Sequence, residues 1–141
     1  MSEIESIQKD IIEEFSFFED WTQRYEYMIE LGKALPLIHK THKTEENIIK
    51  GCQSKVWIHA HLDGDKVKFT ADSDAIITKG IIAILIRVFS NQHPRSIIDS
   101  NIDFIDNIGL KEHLSPTRAN GLVSMVKQIK MYAVAFQTQL N

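Results

Sequence analysis

Cys52 is the one cysteine of the chain, and it stands in Gly51-Cys52-Gln53-Ser54-Lys55-Val56-Trp57. A single thiol makes no internal disulfide. Nor does it furnish the several sulfur ligands that a structural zinc or Fe–S site takes. It can act as a nucleophile or as a covalent carrier, and its neighbours set which. Gly51 permits a positive φ and hence a sharp turn just before the thiol. Gln53, Ser54 and Lys55 are polar, so the alternation of a strand starts only at Val56 and Cys52 falls in a reachable loop. Lys50 and Lys55 flank it and would favour the thiolate. The opposite reading is an inert, packed thiol, because free cysteine is among the most buried residue types. The local residues support both.

Six histidines make a Cys–His dyad conceivable, but no local signature places one beside Cys52. His59 and His61 lie two apart on a strand and so share a face. They are candidate metal ligands with Cys52, or else solvated side chains. His39 and His42 read as surface residues of a connecting segment. No Gly-rich phosphate loop, carboxylate pair or Ser-His-Asp order stands out. Asp72 and Asp74 read as helix caps, and Trp57 as packing.

The elements that must position Cys52 follow from periodicity. Ser2 and Glu5 have capping-box spacing ahead of an apolar stripe of Ile4, Ile7, Ile11 and Ile12. A second helix carries Trp21, Tyr25, Met28 and Ile29 on one face and is expected to end at Gly32, with Pro36 beyond. Residues 36–47 connect. Residues 54–62 and 66–71 alternate with period two around Asp63-Gly64, which predicts an antiparallel hairpin. Ile48-Ile49 is expected to add a third short strand. Residues 75–89 are apolar nearly all round, as in a helix buried between layers. A short helix is expected from Pro94, with one or two more over 103–113. Ser115-Pro116 starts a long final helix that faces inward with Leu122, Met125, Val126, Ile129, Ala133, Phe136 and Leu140. The fold class is therefore α+β: a small three-stranded antiparallel sheet flanked by N-terminal and C-terminal helices, as one domain over 1–141.

Composition narrows the function classes. A net charge of −3 gives no reason to expect nucleic acid. Charge is uneven, with nine acids against Lys9 and Arg24 in residues 1–30, and four bases against Glu112 from Lys111 onward. The longest apolar run, Gly80 to Ile86, is too short to span a bilayer, so no membrane partner is expected. The acidic start is unlike a secretory signal or transit peptide. With a lone thiol, this points to a reducing cytoplasm.

Four blocks then become recognisable as a set. Gly51-Cys52-Gln53-Ser54-Lys55-Val56-Trp57 resembles the cysteine-loop motif of the SufE family of sulfur-acceptor proteins. Glu30-Leu31-Gly32-Lys33-Ala34-Leu35-Pro36 resembles that family's segment closing its second helix. Ala71-Asp72-Ser73-Asp74-Ala75 with Lys79-Gly80 resembles the segment after its hairpin. His113-Leu114-Ser115-Pro116-Thr117-Arg118 with Asn120-Gly121-Leu122 resembles the start of its last helix. The blocks span nearly the whole chain in the family's order.

The resemblance implies the α+β fold shared with Fe–S scaffold proteins, and a role in sulfur relay. A pyridoxal-phosphate cysteine desulfurase would supply sulfane sulfur. Cys52 would carry it as a persulfide, and an Fe–S cluster scaffold would receive it. The chain would be an accessory partner and activator of that desulfurase, with no cofactor of its own. Arg118 matches the motif arginine and would stabilise the sulfur anion from the helix start. Gly51, Gln53, Ser54 and Asp74 would support the loop or face the partner. His59 and His61 match no motif of the family. The alternative is an Fe–S or zinc-binding scaffold of the same fold, which needs further thiol ligands that the chain lacks. A cysteine hydrolase or transferase acting alone would need a histidine placed by a third group.

Overall fold

The computed structural model describes residues 2–140, with Lys111 by its backbone alone; Met1 and Asn141, the ends of the expected domain, lie outside the described residues. Helix α1 spans Glu3–Ser16, and the Ser2 hydroxyl caps it by accepting from the Glu5 N–H at 3.1 Å. Its inward stripe is Ile4, Gln8, Ile11 and Phe15. Helix α2 spans Trp21–Lys33 and is capped by Asp20, whose carboxylate accepts from the Gln23 N–H at 2.8 Å.

The expected stop at Gly32 is corrected by the structure, because α2 continues through Lys33. Gly32 serves packing instead. A β-carbon there would lie 3.0 Å from the Gly80 nitrogen of the next long helix. Two glycines thus let two helix backbones touch.

After two single 3₁₀ turns at Lys40–His42 and Glu45–Asn47 come β1, Val56–Asp63, and β2, Lys66–Ser73. They pair antiparallel in the register Val56↔Ser73 through Asp63↔Lys66. Gly64 takes φ +66° in the two-residue turn. Val56, Ile58 and Ala60 face the core with Val67, Phe69 and Ala71.

The sheet has two strands, so the expected third strand at Ile48-Ile49 is a correction. Ile48 makes one antiparallel bridge to Trp57, and the Ile49 N–H donates to the Val56 carbonyl at 2.8 Å. The 3₁₀ turn just before and the turn at Gly51 just after leave no length for a ladder.

Helix α3, Ile76–Phe89, is buried on nearly every face between α2, β2 and the last helix. Asp72 and Asp74 do not cap it, contrary to expectation: its N-cap is Ala75, without a side-chain bond. Short helices α4 (Pro94–Asp99), α5 (Asp103–Asn107) and α6 (Leu110–His113) lead to α7, Pro116–Leu140. Leu122, Met125, Val126, Ile129 and Ala133 of α7 are buried, whereas Leu140 is exposed. The last turn of α7 has run past the core it was expected to cover. Arg87 of α3 donates to Glu14 of α1, as does Tyr27. The Arg87 contact holds the Glu14 carboxyl below the usual carboxylate range, against the opposing effect of burial.

Candidate functional site

Cys52 sits on a loop between the Ile48 bridge and β1, and the loop folds down onto the first turns of α7. Gly51 turns the chain at φ +94°. A β-carbon at Gly51 would lie 2.8 Å from the Ser124 hydroxyl, so the turn rests directly on the helix. The Cys52 thiol, half-buried, donates to the Gly121 carbonyl at 3.6 Å. A β-carbon at Gly121 would stand 3.3 Å from Sγ. Glycine at this helix position is what lets the sulfur reach the backbone.

The far end of the loop is clamped to the start of α3. Asp74 accepts from the Lys55 N–H at 3.0 Å, and its own N–H donates back to the Lys55 carbonyl at 3.2 Å. The Ser73 hydroxyl also donates to the Lys55 carbonyl, at 2.9 Å. These bonds answer why Asp74 does not cap a helix: its oxygen is committed to the loop.

The thiol opens on a crevice of about 10 Å³, room for roughly one water. Its loop wall is Cys52, Gln53 and Ser54. Thr78 and Ile81 of α3 form a second wall, and Arg118, Gly121 and Met125 of α7 a third. The structure thus brings Cys52, Gln53, Ser54 and Arg118 together. The Ser115 hydroxyl caps α7 by accepting from the Arg118 N–H at 3.2 Å, which fixes the backbone from which the guanidinium extends. Among the described residues that guanidinium makes no ion pair.

Burial pushes the Cys52 thiol up from its ordinary value. The expectation that Lys50 and Lys55 favour the thiolate is corrected here: desolvation is the cause that acts, and both lysines are exposed. At rest the sulfur is a sheltered thiol.

His39, His42, His59 and His61 form a separate cluster beside the hairpin, while His113 stacks on Trp21 and His93 caps α4. His59 stacks on His42 with ring centroids 3.8 Å apart and planes 6° from parallel. Burial, then His42 and His61, pushes His59 below its ordinary value. Among the described residues no group of three or more His, Cys, Asp or Glu side chains is arranged to hold a metal ion. Trp57 is a platform for Lys43, whose ammonium lies 4.5 Å from the ring centre. Lys43 in turn pairs with Asp72 at 3.0 Å. Burial opposes ionisation of Asp72, but Lys43, the Ser73 N–H and Lys79 together hold its carboxyl low. A larger hollow of about 770 Å³ lies between the Phe17-Phe18 connection and α2, walled by Phe17, Tyr27, Glu26 and Glu30. It is lined by no thiol and no cation, and so is not the place for sulfur chemistry.

Residue-by-residue reasoning did not assign roles to Gly121, Ser124 or Thr78. One signal for Gly121 is in the sequence, namely a glycine inside a helix where alanine would be favoured by about 1 kcal/mol. Gly121→Ala is accordingly expected to leave stability unchanged or higher while pushing the loop off its seat. Alkylation of Cys52 should speed up severalfold; an unchanged rate would mean that the loop is not seated by this glycine.

Comparison with known proteins extends beyond the site. A family described as SufE, Fe-S metabolism associated domain, matches residues 9–133. A SufE-like protein of Rhizobium meliloti is 44% identical over 129 residues, covering 87% of this chain and 91% of that one. A SufE-like protein of Synechocystis is 38% identical over 127 residues, covering 90% and 80%. The solution structure of a hypothetical protein from Thermus thermophilus superposes with a TM-score of 0.78 at 20% identity, over 94% of this chain and 96% of that one, and shows the same fold.

Proposed function

The chain belongs to the SufE family, associated with Fe–S metabolism, and from that membership we propose that it is a sulfur acceptor and activator for a cysteine desulfurase. The observation that carries this reading is the seat of Cys52: a lone thiol held against Gly121 in a crevice shared with Arg118.

The reaction is an exchange at sulfur. The Cys52 thiolate attacks the outer sulfur of the desulfurase persulfide. A new S–S bond forms on Cys52 as the donor's S–S bond breaks. The desulfurase sulfur leaves as a thiolate and takes the proton that Cys52 gave up. No net oxidation or reduction occurs, and the sulfane sulfur then passes to an Fe–S cluster scaffold. With one cysteine, the chain holds no second thiol that would discharge the persulfide as an internal disulfide.

Shelter at rest and reactivity on docking follow from the same geometry. Burial keeps the sulfur protonated and slow to oxidise. When the partner draws the loop outward, desolvation is relieved and the thiol ionises more readily. Gly51 is the hinge of that movement, and Asp74 keeps the loop's far end attached. Gln53, exposed, and Ser54 belong to the surface that meets the partner. The unit that does this is a single domain over residues 1–141.

Incubation with a cysteine desulfurase and free cysteine, followed by intact mass measurement, tests the reading. A gain of one sulfur on Cys52, reversed by reductant, is expected; absence of the gain while the desulfurase turns over would reject it.

Arg118 supplies a charged donor to the sulfur anion. Arg118→Ala should slow sulfur uptake about tenfold, in line with one hydrogen bond to a charged group at about 1.5 kcal/mol. The Cys52 alkylation profile should shift to higher pH, with partner affinity little changed. A loss of affinity with an unshifted profile would instead make Arg118 a docking residue.

A further inference from the structure

Helix α3 is apolar on nearly every side, yet its third residue is Thr78, buried at 5% relative exposure. Two other hydroxyls in helices are occupied in the usual way. Ser124 donates to the Asn120 carbonyl at 3.2 Å, and Thr138 to the Val134 carbonyl at 3.1 Å, each one turn back. The Thr78 hydroxyl makes no hydrogen bond among the described residues. The residue is enclosed, but its hydroxyl oxygen is not one of the fully buried polar atoms left without a partner, so part of its surface stays open to the space beside it. The position therefore invites a reason beyond packing.

Thr78 is a wall of the crevice that holds the Cys52 sulfur. The space, about 10 Å³, has room for roughly one water-sized group, and Thr78 borders it together with Cys52 and Arg118. The resting thiol donates its proton to the Gly121 carbonyl. Once that proton is lost, the carbonyl is an acceptor facing an anion, and the sulfur needs donors. A threonine hydroxyl rotates freely to present one.

We propose that the Thr78 hydroxyl is the donor that receives the sulfur anion of Cys52, as thiolate and then as persulfide, from the α3 wall of the crevice. This deepens the sulfur-acceptor reading and rests on it for the persulfide. Arg118 brings charge from α7, and Thr78 brings a neutral donor from α3. Together they let the crevice hold an anion that burial alone would disfavour.

The thiolate can be followed by its ultraviolet absorbance across pH, with Cys52→Ser as background, because the chain holds one cysteine. Thr78→Val should move the ionisation of Cys52 to higher pH and slow its alkylation near neutrality by about threefold to tenfold, the effect of removing one hydrogen bond to the charged form. Thr78→Ser should restore both. The valine variant should also unfold close to the denaturant concentration of the parent protein, since the hydroxyl makes no hydrogen bond within the fold among the described residues. An unshifted profile overturns the proposal, and so does a valine variant that is markedly destabilised with unchanged reactivity, because the hydroxyl would then be structural. The outcome is separable from the sulfur-acceptor reading. If the parent protein gains no sulfur from a desulfurase, that reading fails whatever the profile of the Thr78 variants.

Discussion

Cys52→Ser takes up no sulfur above background from a desulfurase supplied with free cysteine, and no longer stimulates its turnover. That is the expected result with the largest functional effect. A serine hydroxyl is far less acidic than a thiol and forms no persulfide, so neither nucleophile nor carrier remains. The fold should be untouched. Serine is nearly the same size, the position is in a loop, and its hydroxyl can still donate to the Gly121 carbonyl as the thiol does. The unfolding free energy should change by less than about 1 kcal/mol, as for most substitutions outside a packed core. Binding to the desulfurase should persist, because the loop and the face around it are intact. Retained stimulation by the serine variant would reject the covalent mechanism, leaving at most an activator that works by contact. Mass measurement on both proteins in one experiment makes the comparison direct.

Gly80→Ala is expected to cost stability more than any other single methyl considered. The added β-carbon would fall on the Met28 carbonyl of α2, and would lie 2.9 Å from the carbonyl carbon and from Cγ of the same residue. Side chains can swing aside, but a helix backbone cannot without moving the whole of α2. The neighbouring Gly32 is tight but less severely so, with Gly80 backbone atoms at 3.0 and 3.2 Å from its own ideal β-carbon. Alanine gains about 1 kcal/mol of helix propensity. Overpacking of a close backbone contact loses about 1–3 kcal/mol or more. Because backbone and not side chain must yield, the net loss should be about 2 kcal/mol or more. For about 2 kcal/mol that corresponds to a melting temperature lower by roughly 7 °C for a chain of this size. A variant as stable as the parent would show that α2 and α3 slide apart easily. The contrast with Gly121→Ala is instructive. The same substitution inside a helix is expected to be neutral where the neighbour is a loop and damaging where it is another helix.

Much of the architecture was legible without coordinates. The hairpin followed from alternation around Asp63-Gly64, and the last helix from Ser115-Pro116, because strand period, turn chemistry and capping are local properties of a few adjacent residues. The same reasoning overreached at Ile48-Ile49. Two β-branched residues look like strand, but whether a ladder extends depends on the turns at either side. It also misassigned Gly32, since a glycine late in a helix marks a stop by local rules and a close contact by tertiary ones. The acids at 72 and 74 were read as caps for the same reason, whereas Lys43 and the Lys55 backbone had prior claim on them.

By itself the sequence determined that the chain is α+β, that its one thiol lies in a polar turn, and that four motif blocks relate it to the SufE family. Those features depend on residue type and near-neighbour spacing. Only the tertiary structure decided what surrounds the thiol. Cys52 meets the Gly121 carbonyl across 69 positions of chain, and Arg118 and Thr78 arrive at the crevice from two different helices. The direction in which the thiol's acidity moves was decided there too. Adjacent lysines argued for a thiolate, but their side chains are solvated, and the desolvation produced by packing α7 over the loop acts on the sulfur directly. Charge near in sequence is screened when it faces water, whereas burial is a property of the fold as a whole.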